Sequence, residues 1–174
     1  KSCAIHGLSP ILVLSNFCHV FLYTALMSQK QTFHLDSPAR KFFACQLQHC
    51  SLSHNRTEGQ WLYKNGNVKF CFDQVWVQGI VVLVGADGND FLLDDGTGII
   101  EVTGVTKLVR DFSLHKGMYV MIAGRLQSVG NFDQKQYPTI KVLKIANLSS
   151  NPHSEMLWMV EVIDAQSKSG TNRK

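Results

Sequence analysis

A five-stranded β-barrel with a helix at either end, an all-β class with flanking helices, is the fold this chain predicts, and three observations predict it. The first is a tight hairpin, Phe91-Leu-Leu-Asp-Asp-Gly-Thr-Gly-Ile-Ile-Glu-Val102. Two short apolar runs meet there at Asp94-Asp95-Gly96-Thr97-Gly98, where Asp and Gly supply the left-handed and close-packed positions of a turn. The second is the pair of long apolar strands around it, Val75 to Val84 before and Gly117 to Leu126 after. The third is the ending: a strand from Thr139 to Leu148, then Asn151-Pro152, which reads as the start of a helix.

Composition sets the bounds. The 174 residues suit one domain with tails, and a hydrophobic share of 45% with 17% charged residues describes a packed core. The formal charge of +4 hints at a polyanion partner until it is divided along the chain. Residues 1–74 hold seven Lys and Arg against three Asp and Glu, and residues 167–174 hold three against none. Residues 75–166 hold seven against ten, so the barrel itself is acidic and nucleic-acid binding by it is disfavoured. All five cysteines (Cys3, Cys18, Cys45, Cys50, Cys71) precede the barrel, and their odd number fits free thiols in a reducing compartment.

Taken in order, residues 11–27 form an apolar, uncharged run. A signal peptide lacks support because Lys1 alone fills the n-region and no small-x-small site follows Ala25. A membrane span is argued against by Asn16, His19 and the shortness of the run. Residues 1–27 are therefore read as a non-native leader or gene-model artefact, with Met27 as the natural start. The sequons at Asn55 and Asn147 matter only if that leader is real.

Residues 28–74 are an N-terminal helix and a connecting segment. The helix is expected over residues 36–50, with Ser37 as cap, Pro38 in the first turn, and Phe43 and Leu47 four apart on one face. Cys45, His49, Cys50 and His54 cluster within or beside it, but their spacing is not the usual loop-and-return arrangement of zinc ligands, so no metal site is expected. Residues 51–73, rich in turn formers, wrap or lead into the barrel.

The barrel is expected over residues 75–149. Val77, Ile80, Val82 and Val84 make a first strand too apolar to be solvated on one face, with Gly79 and Gly85 where it can bend. Residues 106–112 form a short connector of one or two helical turns, and residues 131–138 a polar loop. The C-terminal helix is expected over residues 150–166, before a disordered basic tail at 167–174. At helical period Met156, Met159, Val160 and Ile163 make one apolar stripe, and Trp158, Val162 and Ala165 make another nearly opposite it. A surface helix needs one apolar face; with two, one packs on its own barrel and the other requires a partner.

Five strands with a connector between the third and fourth match the OB-fold, and the Asp-Asp-Gly-Thr-Gly hairpin resembles the middle subunit of replication protein A. A closer resemblance lies in Val75-Trp-Val-Gln-Gly, in Lys116 to Gly124, and above all in Val142-Leu-Lys-Ile-Ala-Asn-Leu-Ser-Ser-Asn-Pro-His-Ser-Glu-Met-Leu-Trp-Met-Val-Glu-Val162. These segments, over residues 36–166, resemble the RecQ-mediated genome instability protein 2 family. The resemblance implies a nuclear, non-enzymatic OB-fold subunit without cofactor. It pairs with a second OB-fold protein of the RecQ-mediated genome instability protein 1 type, beside topoisomerase III alpha and a RecQ or Bloom-type helicase. The assembly dissolves double Holliday junctions. Trp158 is the expected partner anchor, with Met156, Leu157 and Val162 beside it. Lys144 falls by period two among Ile140 and Val142, either snorkelling or meeting an acidic group of the partner. The family motif has Lys at this position, which favours the second.

The rival reading is a replication-protein-A-like or telomere-capping subunit that binds single-stranded DNA. It needs a basic groove and aromatic platforms on the second and third strands. Those strands offer Phe91 alone among Asp90, Asp94, Asp95 and Glu101. An enzyme is not expected, since the chain has no phosphate-binding loop, dinucleotide fingerprint or nucleophile elbow. A membrane partner is not expected either.

Overall fold

The computed structural model describes residues 38–53, 60–108, 113–131, 134 and 136–171. The leader expected over 1–27, the Ser37 cap and His54 lie outside this set. In chain order the elements are β1 (Arg40–Lys41), α1 (Ala44–Leu47), β2 (Cys50–Leu52), β3 (Trp61–Asn65) and β4 (Val68–Phe72). There follow β5 (Val75–Val84), β6 (Phe91–Asp94), β7 (Ile99–Thr103), a 3-10 turn (Val105–Lys107), β8 (Tyr119–Ser128), β9 (Thr139–Asn147) and α2 (Ser154–Thr171).

The barrel is the sheet β1-β5-β6-β7-β9-β8, closed by pairing of β8 with β5. Its five long strands are therefore those of an OB-fold. Alternation places Val75, Val77, Ile122, Leu93, Ile100 and Ile140 inside, where burial of apolar surface drives closure. Strand β5 keeps both faces largely covered by shifting register between Val81 and Leu83, a bulge that bends it from β8 towards β6. At Gly79 a Cβ would lie 2.4 Å from the Asp94 carbonyl oxygen, so the close approach of β6 requires glycine there.

The hairpin β6–β7 is the expected one, in register Asp94↔Ile99 and Leu93↔Ile100. Gly96 takes φ +81°, and Gly98 lies against Ala44, whose Cβ a side chain would meet at 3.3 Å. The turn does more than reverse the chain. One oxygen of Asp95 accepts hydrogen bonds from Thr97 N (2.8 Å), Thr97 Oγ1 (2.8 Å) and Gly98 N (3.1 Å). The other accepts from Ala44 N (2.7 Å) at the start of α1. Replacing Asp95 by alanine is expected to cost about 1–2 kcal/mol, in the manner of a lost helix cap. A lowered urea midpoint at unchanged m-value checks this.

The helix expected over 36–50 is confined to Ala44–Leu47. Long-range hydrogen bonds win over local periodicity on both sides of it. Arg40 N donates to Gln74 O (2.9 Å) and Phe42 N to Trp76 O (3.1 Å), which makes β1 a parallel strand beside β5. Cys50 opens β2 instead of ending a helix. Residues 51–73 do not simply lead into the barrel, because β2, β3 and β4 form a separate antiparallel sheet. That sheet packs on the barrel through Phe42, which lies 4.8 Å from Phe72 and 5.3 Å from Tyr63 between ring centroids. Trp61 Nε1 ties it down by donating to Leu126 O at 2.8 Å.

The C-terminal helix also differs from expectation at both ends. Asn151 does not cap it directly: its side chain accepts from His153 N (3.1 Å) in a turn, and α2 begins at Ser154. The helix continues to Thr171, so most of the tail expected to be disordered is helical. The connector after β7 is a single 3-10 turn within the described residues.

Candidate partner interface

Helix α2 lies on the outward side of β1 and β5 and touches β4. Lys41 holds the contact together: its Nζ pairs with Glu161 Oε2 (2.7 Å) and lies 5.2 Å and 5.9 Å from the rings of Trp76 and Trp158. The ion pair is partly solvated and contributes little by itself; the covered ring faces and the lysine stem contribute area. Further along, Gln46 and Gln166 exchange two amide hydrogen bonds of 2.8 Å and 2.6 Å.

This docking decides which apolar stripe is inside. Ser154, Trp158 and Val162, one turn apart each, are buried. Trp158 is 2% exposed and Val162 0%. Trp158, expected as the partner anchor, and Val162 with it, are instead covered by the chain's own sheet. The physical reason is that the helix docks on β4, β1 and β5, where its largest side chain shares the Lys41 stem with Trp76 and removes the most apolar surface from water.

The opposite stripe is open. Met156, Met159, Val160 and Ile163 point away from the sheet, with Ile163 63% and Val160 62% exposed. Leu157, at the edge of this face, is 48% exposed. Five large apolar side chains on one side of one helix form a contiguous patch of the kind that marks an association site. Of the residues singled out from the sequence, Met156 and Leu157 lie on it. Met159, Val160 and Ile163 complete it, and the sequence signal for them is their common stripe at helical period with Met156.

Lys144 is exposed, but not for the period-two reason. Between Ala123 and Gly124 the β8–β9 register shifts, and the bulge turns the strand so that Ile145 pairs with buried Ile122 while Lys144 faces outward beside Ala123. The outward row Trp76–Ala123–Lys144 places this lysine on the same sheet face that carries α2.

The rest of the sequence-derived sites separate. With α1 ending at Leu47, Cys45 and His49 do not share a helical face, and Cys50 is buried at the start of β2. Among the described residues no three metal-ligating side chains come together. Burial pushes the Cys50 thiol from its ordinary 9.0 up to about 12. Its neutral form is favoured by the fold, so that contribution to stability is complete below pH 9 and is lost as pH rises towards 12. Iodoacetamide at pH 8 is therefore expected to spare Cys50 in the native chain and to modify it only in urea, as peptide mapping will read.

Phe91, the one aromatic on the strands where oligonucleotides bind such barrels, points into the core and is 1% exposed. Outward on β6 and β7 stand Leu92, Asp94, Ile99 and Glu101. Among the described residues, no helix is long and apolar enough to cross a membrane.

Comparison with known proteins agrees with this architecture. The family model described as RecQ-mediated genome instability protein 2 matches residues 38–166. The protein of that name from Gallus gallus is 31% identical over 128 residues, which cover 72% of this chain and 90% of the relative. Those from Mus musculus and Bos taurus are 34% and 36% identical over 91 residues, covering 52% of this chain and 56% and 54% of theirs. Among solved structures, a chain of a replication protein A heterotrimer bound to single-stranded DNA superimposes with TM-score 0.53 at 16% identity. It covers 76% of this chain and 98% of that one, a likeness of fold.

Proposed function

The chain belongs to the RecQ-mediated genome instability protein 2 family, and from that premise we propose that it is a non-catalytic OB-fold scaffold of the nucleus. It pairs with a second OB-fold protein, of the RecQ-mediated genome instability protein 1 type. The pair joins topoisomerase III alpha and a RecQ or Bloom-type helicase, and the assembly dissolves double Holliday junctions and maintains the genome through repair, recombination and replication. One observation supports this reading above the others: the exposed apolar face of a helix whose opposite face is occupied by its own barrel. Such a face suits a partner helix, with Met156, Met159, Val160 and Ile163 as anchors at successive turns. Lys144 stands on the same sheet face to meet an acidic group of the partner.

Co-purification of the tagged full chain from dividing cells, followed by mass spectrometry, tests it. Recovery of a second OB-fold protein with a type IA topoisomerase is the expected result. Recovery of replication or telomere factors in their place, with tight and salt-sensitive binding of oligonucleotides by the chain alone, overturns it.

A further inference from the structure

A second surface is built by other strands than those under α2. One outward cross-strand row runs Leu83, Leu92, Glu101, Thr139 and Ser128, over β5, β6, β7, β9 and β8. Gln136 and Tyr137, from the β8–β9 connection, wall its far end and leave a groove of about 430 Å³. Leu83, at the near end, is 54% exposed, and Tyr137 is 40% exposed. Glu101 lies in the middle. Its Oε2 accepts a hydrogen bond from Thr139 Oγ1 at 3.0 Å, and Ser128 Oγ in turn donates to Thr139 Oγ1 at 3.5 Å. Among the described residues no cation pairs with this half-buried carboxylate. Lys141 and Arg125 belong to the next outward row, with Thr103, and Asp94 lies in the row on the other side, between Ile80 and Ile99.

Barrels of this topology take oligonucleotides on this face, between its two bordering loops. Here the groove persists with the opposite electrostatic sign: a phosphate would meet a carboxylate that has no cation partner among the described residues, and no outward aromatic on β6 or β7 offers a base a platform. We propose that this groove receives an arginine side chain presented by an extended, leucine-flanked segment of a protein partner. The planar guanidinium forks onto Glu101 while stacking on the Tyr137 ring, and the flanking apolar side chains cover Leu83 and Leu92. Arginine fits better than lysine because its weakly hydrated plane makes both contacts together.

The test is a titration of the 15N-labelled full chain with a hexapeptide of alternating leucine and arginine, and with its citrulline counterpart. The arginine peptide is expected to shift the amides of Leu92, Glu101 and Thr139, and the citrulline peptide to bind about tenfold more weakly, as loss of a charge-assisted pair implies. Glu101→Gln, which keeps the acceptor for Thr139, is expected to lower arginine-peptide affinity by a similar factor. Equal binding of both peptides, shifts confined to α2, no shift at millimolar peptide, or an oligothymidylate moving the same amides would each overturn the proposal. The readout at β6, β7 and β9 is separate from any failure of the α2 interface.

Discussion

Met159→Asp combined with Ile163→Asp is expected to abolish capture of the partner while leaving unfolding of the isolated chain almost unchanged. Both side chains are at least half exposed on the open face of α2, opposite the buried Trp158 and Val162. In a complex they would be covered, and a buried, unpaired carboxylate at the centre of an interface is costly. An effect of about 3 kcal/mol or more, about two orders of magnitude in Kd, is expected for anchors of this kind. Calorimetry with the recovered partner gives the affinity, and thermal unfolding of the free variant gives the control. Unchanged affinity would show that this face is not the interface.

Trp158→Ala is expected to produce the largest loss of stability, about 3–5 kcal/mol, as for other buried aromatic truncations. The cavity opens where Trp158, Trp76 and the Lys41 stem meet. Trp158→Phe is expected to cost less, since the indole nitrogen has no hydrogen-bond partner in the fold. Urea denaturation of both variants checks the order. If the proposed interface holds, partner binding is expected to fall in Trp158→Ala as well, but for a different reason: the helix carrying the exposed stripe no longer has a fixed seat. The two results together separate a residue that makes the contact from one that holds the contacting element in place.

Much of the barrel is legible in the sequence because its signals are local. Period-two alternation identifies β8 and β9, and Asp-Asp-Gly-Thr-Gly specifies a turn whose geometry only a few residue types satisfy. What is not legible depends on partners distant in the chain. Arg40 and Lys41 sit in a segment of helical period, and only the carbonyls of Gln74 and Trp76 make them a strand. Lys144 is assigned to the wrong face by counting in twos, because a bulge set by pairing with β8 adds a residue to the count. On α2 both stripes are visible in the sequence. Which one faces inward depends on Trp76, and that residue's outward orientation follows only from barrel closure. Of the four helix residues that the sequence offers as contacts, the fold covers Trp158 and Val162 and leaves Met156 and Leu157 exposed.

The contacts that seat α2, Lys41 with Glu161 and Gln46 with Gln166, each join residues 120 positions apart. Closing so long a loop comes late, after the intervening strands have formed a surface worth closing onto. During synthesis, Lys41 and Trp76 emerge long before the helix that covers them, and the exposed apolar stripe emerges on that same helix. A chain that stops before residue 154 leaves Lys41 and Trp76 without the helix that covers them and lacks the apolar stripe proposed for a partner. One helix thus does two things: it covers the apolar surface around Trp158 and carries the exposed stripe of Met156, Met159, Val160 and Ile163.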